Sequence, residues 1–424
     1  MITRELILYR DLEDGDILED VDLILSGKLD NEEASEMMNS VTGRLIELAA
    51  ERGYFGNLWQ AYLTHLIVNS ENAYSVSCEI GEGTSPFSKA AFRDLSVLRR
   101  LFVQNIDELD RIAHTKNAQL ITDQMADDDK TKGFDAGIRD LIMDLCGRLA
   151  GASSDEEFAH NVDSFYKSCG VGMFGLHKAF RISESFGQAE IIPVENVSDV
   201  DLDDLVGMEN AKKKLTANTE AFLAKRPCNN CLLFGDAGTG KSTSIKGLLN
   251  RYYGRGLRMI EIYKHQLGSL SDVMDRIRNR NYRFIIYMDD LSFEEHETEY
   301  KYLKAVIEGG LEKKPDNVLI YATSNRRHIV REKYSDRFDG DDELHTNDTV
   351  QEKLSLSYRF GESIFFPRPG RKEYDEIVRT LAKRSGIKMD EKELLLEASK
   401  WELSHGGMSG RTARNYINSL LTGR

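Results

Sequence analysis

The sequence predicts an α/β fold with a parallel β-sheet and a C-terminal three-helix lid, preceded by a mainly helical N-terminal domain. Two observations predict this arrangement. Apolar runs of strand length recur after residue 230, and each ends in glycine or polar residues. Helix-period apolar patterns fill much of residues 31–150 and return at 371–385, 391–404 and 409–421. The boundaries that we expect are 1–182 for the N-terminal domain, 183–203 for a linker, 204–369 for the core and 370–424 for the lid.

The N-terminal region carries helical patterns but no recognisable catalytic constellation. The patterns cover residues 31–53, 57–69, 89–113 and 135–150. Trp59 and Tyr62 stand at helical spacing, which is typical of core positions. The run Asp127-Asp128-Asp129 predicts a solvated loop rather than a cation site, and the histidines lack metal-ligand spacing. We therefore expect an accessory domain that offers an interaction surface.

Charge and composition restrict the classes of partner. The formal net charge is −15. Residues 1–200 carry 18 basic and 36 acidic side chains, whereas the remainder carries 38 and 35. The acidic half argues against a protein that wraps nucleic acid. No apolar run reaches membrane-spanning length, the first twenty residues are too acidic for a signal peptide, and the five cysteines form no disulfide framework. We therefore expect a cytoplasmic protein with no membrane partner.

A phosphate-binding P-loop, Gly-x-x-x-x-Gly-Lys-Ser, organises the second half. It follows the apolar run Cys231–Phe234 and precedes a helix-compatible stretch, which is the context that the motif requires. Glycines let the backbone approach a polyphosphate, and amides at the helix start direct positive charge at it. The cofactor-binding residues that we expect here are Gly235, Asp236, Ala237, Gly238, Thr239, Gly240, Lys241, Ser242 and Thr243. Lys241 is expected to reach the β- and γ-phosphates. Cys228 and Cys231, although spaced Cys-x-x-Cys, are predicted to be small packing residues.

A second apolar run, Arg283–Met288, ends in Asp289-Asp290, which is a Walker B pattern. We expect Asp289 to hold Mg²⁺ together with the Ser242 hydroxyl, and Asp290 to polarise the attacking water as a general base. Glu294 and Glu295 follow closely and rank below Asp290 for this role.

Further polar residues are expected around the nucleotide. Asn325 ends the apolar run Val318–Ser324 and is placed to bind the γ-phosphate or the lytic water, and Arg326 and Arg327 follow it. Val206 and Gly207, about thirty residues before the P-loop, are expected to pack on the adenine. The sequence leaves two arginine pairs open. Arg359 is favoured over Arg337 as an arginine finger acting on a neighbouring subunit, and Arg411 over Arg414 as the lid residue that neutralises phosphate charge.

In this order the motifs resemble an AAA+ ATPase, with Asn325 as sensor 1, Arg359 as the arginine finger and Arg411 as sensor 2. More narrowly, residues 200–424 resemble an uncharacterised bacterial and archaeal AAA+ family known as a domain of unknown function. The similar stretches are Asp289-Asp290-Leu291-Ser292-Phe293-Glu294, Ala322-Thr323-Ser324-Asn325-Arg326-Arg327-His328 and Gln351-Glu352-Lys353-Leu354-Ser355-Leu356-Ser357. Two features depart from that family: Tyr358 stands where Asp is usual, and Glu362-Ser363 replace apolar residues. The resemblance implies an AAA+ P-loop core, ATP and Mg²⁺ as cofactors, and a ring or other nucleotide-dependent homo-oligomer.

The leading hypothesis is a Mg²⁺-dependent ATPase that couples ATP binding and hydrolysis to a conformational change on an unknown protein client. One alternative is a nucleotide-gated adaptor with very slow turnover, motivated by Asp290 being one methylene shorter than the usual Glu. Another is a DNA-associated loader, motivated by Arg326-Arg327, for which the net charge of −15 makes nucleic acid the less favoured partner. A small-molecule kinase fits poorly, because the C-terminal region has the pattern of an AAA+ lid.

Overall fold

The computed structural model describes residues 2–81, 85–126, 134–185, 188–293, 297, 299–308, 314–325 and 359–423. The chain divides into two compact units, Met1–His177 and Lys178–Arg424. No helix among these described residues is long and apolar enough to cross a membrane.

The unit Met1–His177 is helical. Within its described residues the α-helices are Asp16–Leu25 (α1), Asn31–Arg52 (α2), Leu58–Asn69 (α3), Ala73–Ile80 (α4), Ser88–Phe102 (α5), Ile106–Ala113 (α6), Ala118–Thr122 (α7), Ala136–Ala150 (α8), Asp155–Cys169 (α9) and Gly172–Leu176 (α10). Helix α3 lies at the centre, where Trp59 and Tyr62 are fully buried. The Trp59 indole donates to the Leu101 carbonyl at 2.8 Å, and the Tyr62 hydroxyl donates to the Asp14 carbonyl at 2.7 Å. The prediction that both aromatic residues belong to the core is confirmed.

The single helix expected over residues 89–113 is wrong, because the chain forms α5 and α6 with a break between them. Val103 is 58% exposed at the break. The Asn105 side chain accepts a hydrogen bond from the Asp107 amide at 2.9 Å and so caps the start of α6. The spacing of apolar residues in the sequence is helical across the break, but α5 ends at Phe102 and a second helix begins after the capping residue Asn105.

The second unit is built on a sheet of seven strands among the described residues. The strands are Ala179–Ser185 (β1), Gln188–Pro193 (β2), Cys231–Gly235 (β3), Leu257–Glu261 (β4), Arg283–Met288 (β5), Val318–Ser324 (β6) and Glu362–Phe366 (β7). Their spatial order is β2-β1-β4-β5-β6-β3-β7, and every pair except β1–β2 is parallel. Because β3, β5 and β6 are neighbours and parallel, their carboxyl ends meet at one edge of the sheet. The P-loop, Asp289-Asp290 and Asn325 lie at that edge, because they follow the ends of β3, β5 and β6.

Residues 183–193 were expected to belong to a linker, but they form most of a β-hairpin. Strand β2 pairs antiparallel with β1, and β1 pairs in parallel with β4. Alternate residues of the hairpin are buried, including Phe180, Ile182 and Ile191. This alternation is the period of a strand with one face in the core. Glu190 lies on the other face, whereas Glu184 lies on the side of Phe180 and Ile182 and is exposed near the end of β1.

Helices cover the sheet and form the lid. The helices described beside the sheet are Glu209–Leu223 (α11), Lys241–Tyr252 (α12), Leu270–Ile277 (α13) and Tyr300–Glu308 (α14). The lid contains Arg371–Arg384 (α15), Glu391–Ser404 (α16) and Gly410–Leu421 (α17). Tyr374, Ala398 and Tyr416, one from each lid helix, share a small core of their own, against which Val206 packs. The largely parallel sheet, the three-helix lid and the helical N-terminal unit are the architecture that the sequence predicts.

Candidate nucleotide-binding site

Three glycines shape the loop between β3 and α12. Gly235, Gly238 and Gly240 have φ values of 146°, 75° and 92°, a region in which side chains are strained. A Cβ atom at Gly235 would lie 2.1 Å from the carbonyl oxygen of Phe366 on β7. The motif therefore needs glycine at its first position for packing between strands as well as for loop geometry.

Lys241 begins α12 and points back into the loop. Its ammonium donates to the carbonyls of Gly235 and Asp236, both at 2.8 Å, and to the Asn325 side-chain oxygen at 3.1 Å. Only 7% of the residue is exposed. Burial lowers the pKa of Lys241, and the nearby carboxylates, Asp290 first, oppose that effect. A buried ammonium held by neutral acceptors is well prepared for an incoming anion.

Asp289 lies immediately after β5 and gathers hydroxyl groups. Its Oδ1 accepts from the Ser242 hydroxyl at 2.7 Å and from the Thr323 hydroxyl at 2.6 Å. Loss of surrounding water would raise the pKa of Asp289, but the hydrogen bonds from Thr323 and Ser242 outweigh it and keep the pKa below its ordinary value. An ionised carboxylate beside a serine hydroxyl fits Mg²⁺, which takes one or two protein oxygens and completes its shell with water and phosphate. Among the described residues, no group of three or more His, Cys, Asp or Glu side chains could hold a metal ion. A Mg²⁺ site made of one carboxylate, one hydroxyl, water and phosphate needs no such group.

Asp290 is held in an unusual conformation. Its φ is +50°, which is rare for a residue other than glycine, asparagine or aspartate. Its amide donates to the Thr323 hydroxyl at 2.9 Å, and its Oδ1 accepts from the Asn325 amide nitrogen at 2.7 Å. The Asn325 side-chain oxygen also accepts a hydrogen bond from the Lys241 ammonium. The three predicted residues therefore form one hydrogen-bonded chain, Lys241–Asn325–Asp290. The carboxylate is thus aimed at the loop rather than away from it.

These groups open into a cavity of about 460 Å³ between the loop and the lid. Among the predicted residues, those that line it are Val206, Ala237, Gly238, Thr239, Gly240, Lys241, Ser242, Thr243, Asp289, Asp290, Asn325, Arg411 and Arg414. Gly235 and Asp236 lie just outside the lining, and so does Gly207, which has a φ of +82° in the turn after Val206. A cavity of this size is in the range of small-ligand sites.

The lid is fastened to the loop by specific contacts. The Gly410 amide donates to the Gly238 carbonyl at 3.0 Å. Arg411 packs closely on the loop, since a Cβ atom added to Gly238 would lie 3.0 Å from the Cβ atom of Arg411. Arg368 forms an ion pair with Asp236 at 2.8 Å. Arg411 and Arg414 both reach the cavity, so the geometry leaves both as lid candidates.

Sequence reasoning missed several lining residues. Ile377 and Leu381, from one face of α15, and Asn415 from α17 contribute to the cavity, together with Leu205 and Met208 beside Val206. Their helical period predicted an apolar face but not what it faces. Thr323 was also missed, although its position two residues before Asn325 on a buried strand was a usable signal.

Arg359 stands directly before the buried Phe360 and does not line the cavity of its own chain. Its rival Arg337 lies outside the described residues, as do Arg326, Arg327, Glu294, Glu295 and Asp127-Asp128-Asp129. The choice between Arg359 and Arg337 therefore stays a prediction.

The cysteines near the loop do not form a site. All five are free thiols. Cys231 is fully buried on β3, where burial raises its pKa to about 12, and Cys228 is partly buried against the same core. A thiol that stays protonated is a poor metal ligand and nucleophile, which agrees with the prediction that both residues serve packing.

The chain has recognisable relatives. A family model described as "Protein of unknown function (DUF815)" matches residues 176–424. Among solved structures, the chain resembles the Thermotoga maritima RuvB Holliday junction branch migration motor with a TM-score of 0.38 and 15% identity, over 52% of this chain and 64% of that chain. It also resembles the FIGL-1 AAA domain in complex with ADP, with a TM-score of 0.36 and 18% identity, over 54% of this chain and 75% of that chain. The match thus spans less than two thirds of the RuvB chain. No curated protein matches the sequence.

Proposed function

We propose a function for this chain, which belongs to the DUF815 family of proteins of unknown function: it is an AAA+ ATPase that binds Mg²⁺-ATP and couples hydrolysis to movement of its lid. The observation that carries the proposal is the convergence of four elements on one cavity. The P-loop, Asp289-Asp290, Asn325 and the lid residue Arg411 all line it.

The proposed orientation of ATP follows from the chemistry of the lining. The phosphates would lie on the loop amides and the start of α12, with Lys241 exchanging its carbonyl partners for phosphate oxygens. The apolar side chains of Val206, Ile377 and Leu381 offer a surface for the adenine. The nucleotide would therefore touch both the core and the lid, and its γ-phosphate would set how tightly they close.

Ser242 and Asp289 would hold the metal, since the hydroxyl and the carboxylate are already 2.7 Å apart. A bound Mg²⁺ would offset phosphate charge during hydrolysis. Thr323, which donates to the same carboxylate oxygen at 2.6 Å, would keep Asp289 oriented.

Asp290 is the proposed general base. Its carboxylate would polarise a water for in-line attack on the γ-phosphate, and Asn325 would hold that carboxylate or the water in place. Lys241 and Arg411 would stabilise the developing charge from within the chain. Arg359 would do so from a neighbouring subunit, which requires a homo-oligomer.

Binding is the first test of the proposal. Calorimetric titration with a non-hydrolysable ATP analogue and Mg²⁺ should show one site per chain that depends on Lys241. Lys241→Ala should weaken binding at least 100-fold, about 2.7 kcal/mol, because charge-assisted hydrogen bonds to phosphate are lost. Lys213→Ala, at an exposed lysine of α11 outside the cavity, is the matched control and should bind as the wild type does. Equal affinity of the Lys241 variant and the control would contradict the proposed site.

A second candidate function is a nucleotide-gated switch with very slow turnover. It is favoured by Asp290, which is shorter than glutamate and is already hydrogen-bonded to Asn325. The ATPase proposal expects Asp290→Asn to lower turnover at least 100-fold while binding is retained, since general-base catalysis contributes roughly 10²–10⁴-fold. Wild-type turnover no faster than that of Lys241→Ala, with tight binding retained, would favour the switch instead.

The remaining assignments also belong to this proposal. The protein would act in the cytoplasm on a protein client, and the acidic N-terminal unit is the part available to recruit it. Nucleic acid is a less favoured partner.

A further inference from the structure

A second cavity, of about 320 Å³, lies at the opposite edge of the sheet from the nucleotide site. It is formed where α11 ends, where the chain enters β5 and where it enters β6. Arg283 is the first residue of β5, and Asp289 follows its last residue. At about 3.3 Å per residue, the two ends are about 20 Å apart, so this cavity is separate from the ATP pocket.

The lining of this cavity is strongly basic. Lys225, Arg278, Arg280 and Arg283 contribute to it, and Asp316 is the acidic residue among the described lining residues. Three of the four cations are arginines, and these lie within the stretch Arg276–Arg283, which holds four arginines and no acidic residue. Residues 201–424 carry 38 basic and 35 acidic side chains, so four cations at one cavity are a local concentration of positive charge.

The cationic walls are held in place by the fold. Arg283 donates to the Asp316 carbonyl at 2.6 Å, and its guanidinium lies 5.2 Å from the centre of the Phe222 ring. The Asn317 side chain donates to the Ile277 carbonyl at 2.8 Å and so ties the loop before β6 to the end of α13. A cavity with fixed walls loses little entropy when a ligand binds.

The chemistry of the walls selects the class of ligand. Planar guanidinium groups match the oxygens of phosphate in a bidentate manner. Protein partners usually insert apolar anchors, but Tyr282 is only 8% exposed and Pro315 is buried. A nucleic-acid strand would be tracked by a basic stripe along a surface, whereas these cations surround one cavity. Four cations at one cavity instead suit a compact polyanion, and Arg278 is held in place by an ion pair with Asp275 at 2.9 Å.

We propose that this arginine pocket, defined by Lys225, Arg278, Arg280 and Arg283, binds a small ligand that carries two or more linked phosphate groups. The pocket is independent of ATP hydrolysis, and the inference does not rest on the proposed function. A ligand here would contact the loop that leads into β5, the strand that ends at Asp289.

Inorganic tripolyphosphate is the probe, and it is titrated by calorimetry into the full chain carrying Lys241→Ala, so that the nucleotide site does not compete for it. This parent protein should bind one equivalent, and the variants below are made in it. The double variant Lys225→Gln/Arg280→Gln should bind at least tenfold more weakly. Arg276→Gln, which removes an exposed arginine of the same stretch from outside the cavity, should change the affinity less than twofold. Thermal unfolding of each variant checks that the fold is kept. Should the double variant misfold, Lys225→Glu, at an exposed side chain, should still weaken binding at least threefold.

Three results would overturn this inference. They are the absence of tripolyphosphate binding, equal binding by the double variant, and equal losses in the double variant and in Arg276→Gln. A labelled single-stranded oligonucleotide at low salt forms a separate arm. Salt-dependent binding of that strand through Lys225 and Arg280, in place of tripolyphosphate, would replace a small-ligand pocket with a nucleic-acid contact.

Discussion

At the scale of single residues, the site is organised by the side chains that connect its motifs. Asn325 joins Lys241 to Asp290, and Thr323 contacts both Asp289 and Asp290. The two bonds of Asn325 would have to rearrange when a γ-phosphate arrives, because Lys241 and Asn325 are its expected ligands. An incoming phosphate would therefore compete with Asn325 for Lys241 and with Asp290 for Asn325.

The partly buried cation Lys314 is expected to make the stability of the protein depend on pH. Lys314 is partly buried, donates to the Asn230 side-chain oxygen at 3.0 Å, and has a pKa lowered by burial to about 8. Between pH 8 and 10.5 the unfolded chain therefore binds more protons at this residue than the folded chain, so stability rises with pH. Relative to Lys314→Met, the wild type should gain up to about 3 kcal/mol in unfolding free energy across that window, and the difference should be flat below it.

Urea unfolding of both proteins at several pH values between 7 and 10.5 measures this difference. Lys213→Met, at an exposed lysine of α11, serves as the control for replacing a lysine by methionine. Parallel curves for wild type and Lys314→Met would show that Lys314 keeps an ordinary pKa.

At the scale of elements, the first glycine of the P-loop belongs to the sheet as much as to the nucleotide site. A Cβ at Gly235 would meet the Phe366 carbonyl of β7 at 2.1 Å, and its φ of 146° disfavours other residues. Gly235→Ala should destabilise the protein by more than about 3 kcal/mol, because backbone on two adjacent strands must move.

Gly254→Ala is the matched control for this prediction. A Cβ added at Gly254 would meet no atom within 4 Å beyond its own chain neighbours, and this glycine has no positive φ. Its replacement should therefore change stability by less than about 1 kcal/mol. Denaturant unfolding compares the two variants. Similar stabilities would mean that β3 and β7 can separate without cost, against the packing described above.

The elements also show how far the sequence could predict the fold. Strands β3, β5 and β6 were predicted because each is a largely apolar run that leads into glycine or polar residues. The hairpin of β1 and β2 was missed, because Glu184 and Glu190 among its apolar residues resemble a linker in a sequence read without partners. The break before α6 was marked only by Asn105, a capping residue whose signal the longer apolar period masked.

The site divides in the same way. Lys241, Asp289 and Asn325 were predicted because each occupies a fixed position in a motif or at the end of an apolar run, and that position indicates its role. Ile377 and Asn415 were not, because only the tertiary packing of the lid decides which helix face meets the loop. The cavity around Arg283 was likewise not predicted, since the sequence does not show that Lys225 lies beside the arginines of residues 278–283.

At the scale of the whole molecule, the proposed ATPase is incomplete in one chain. Arg359 does not line the cavity of its own chain. If it is the finger that completes the site, it must come from a neighbour, and turnover must depend on assembly. This dependence separates an assembled ATPase from a monomeric nucleotide-binding protein.

Steady-state ATP hydrolysis across a series of protein concentrations, for wild type and Arg359→Ala, tests the central claim most directly. We expect turnover per subunit to rise with concentration and then level off, and to fall at least 100-fold in the variant, since arginine fingers contribute roughly 10³–10⁵-fold. Equal nucleotide affinity in the two proteins would confirm that the loss concerns hydrolysis. Turnover that is independent of concentration and unchanged in Arg359→Ala would contradict an assembled ATPase with Arg359 acting between subunits.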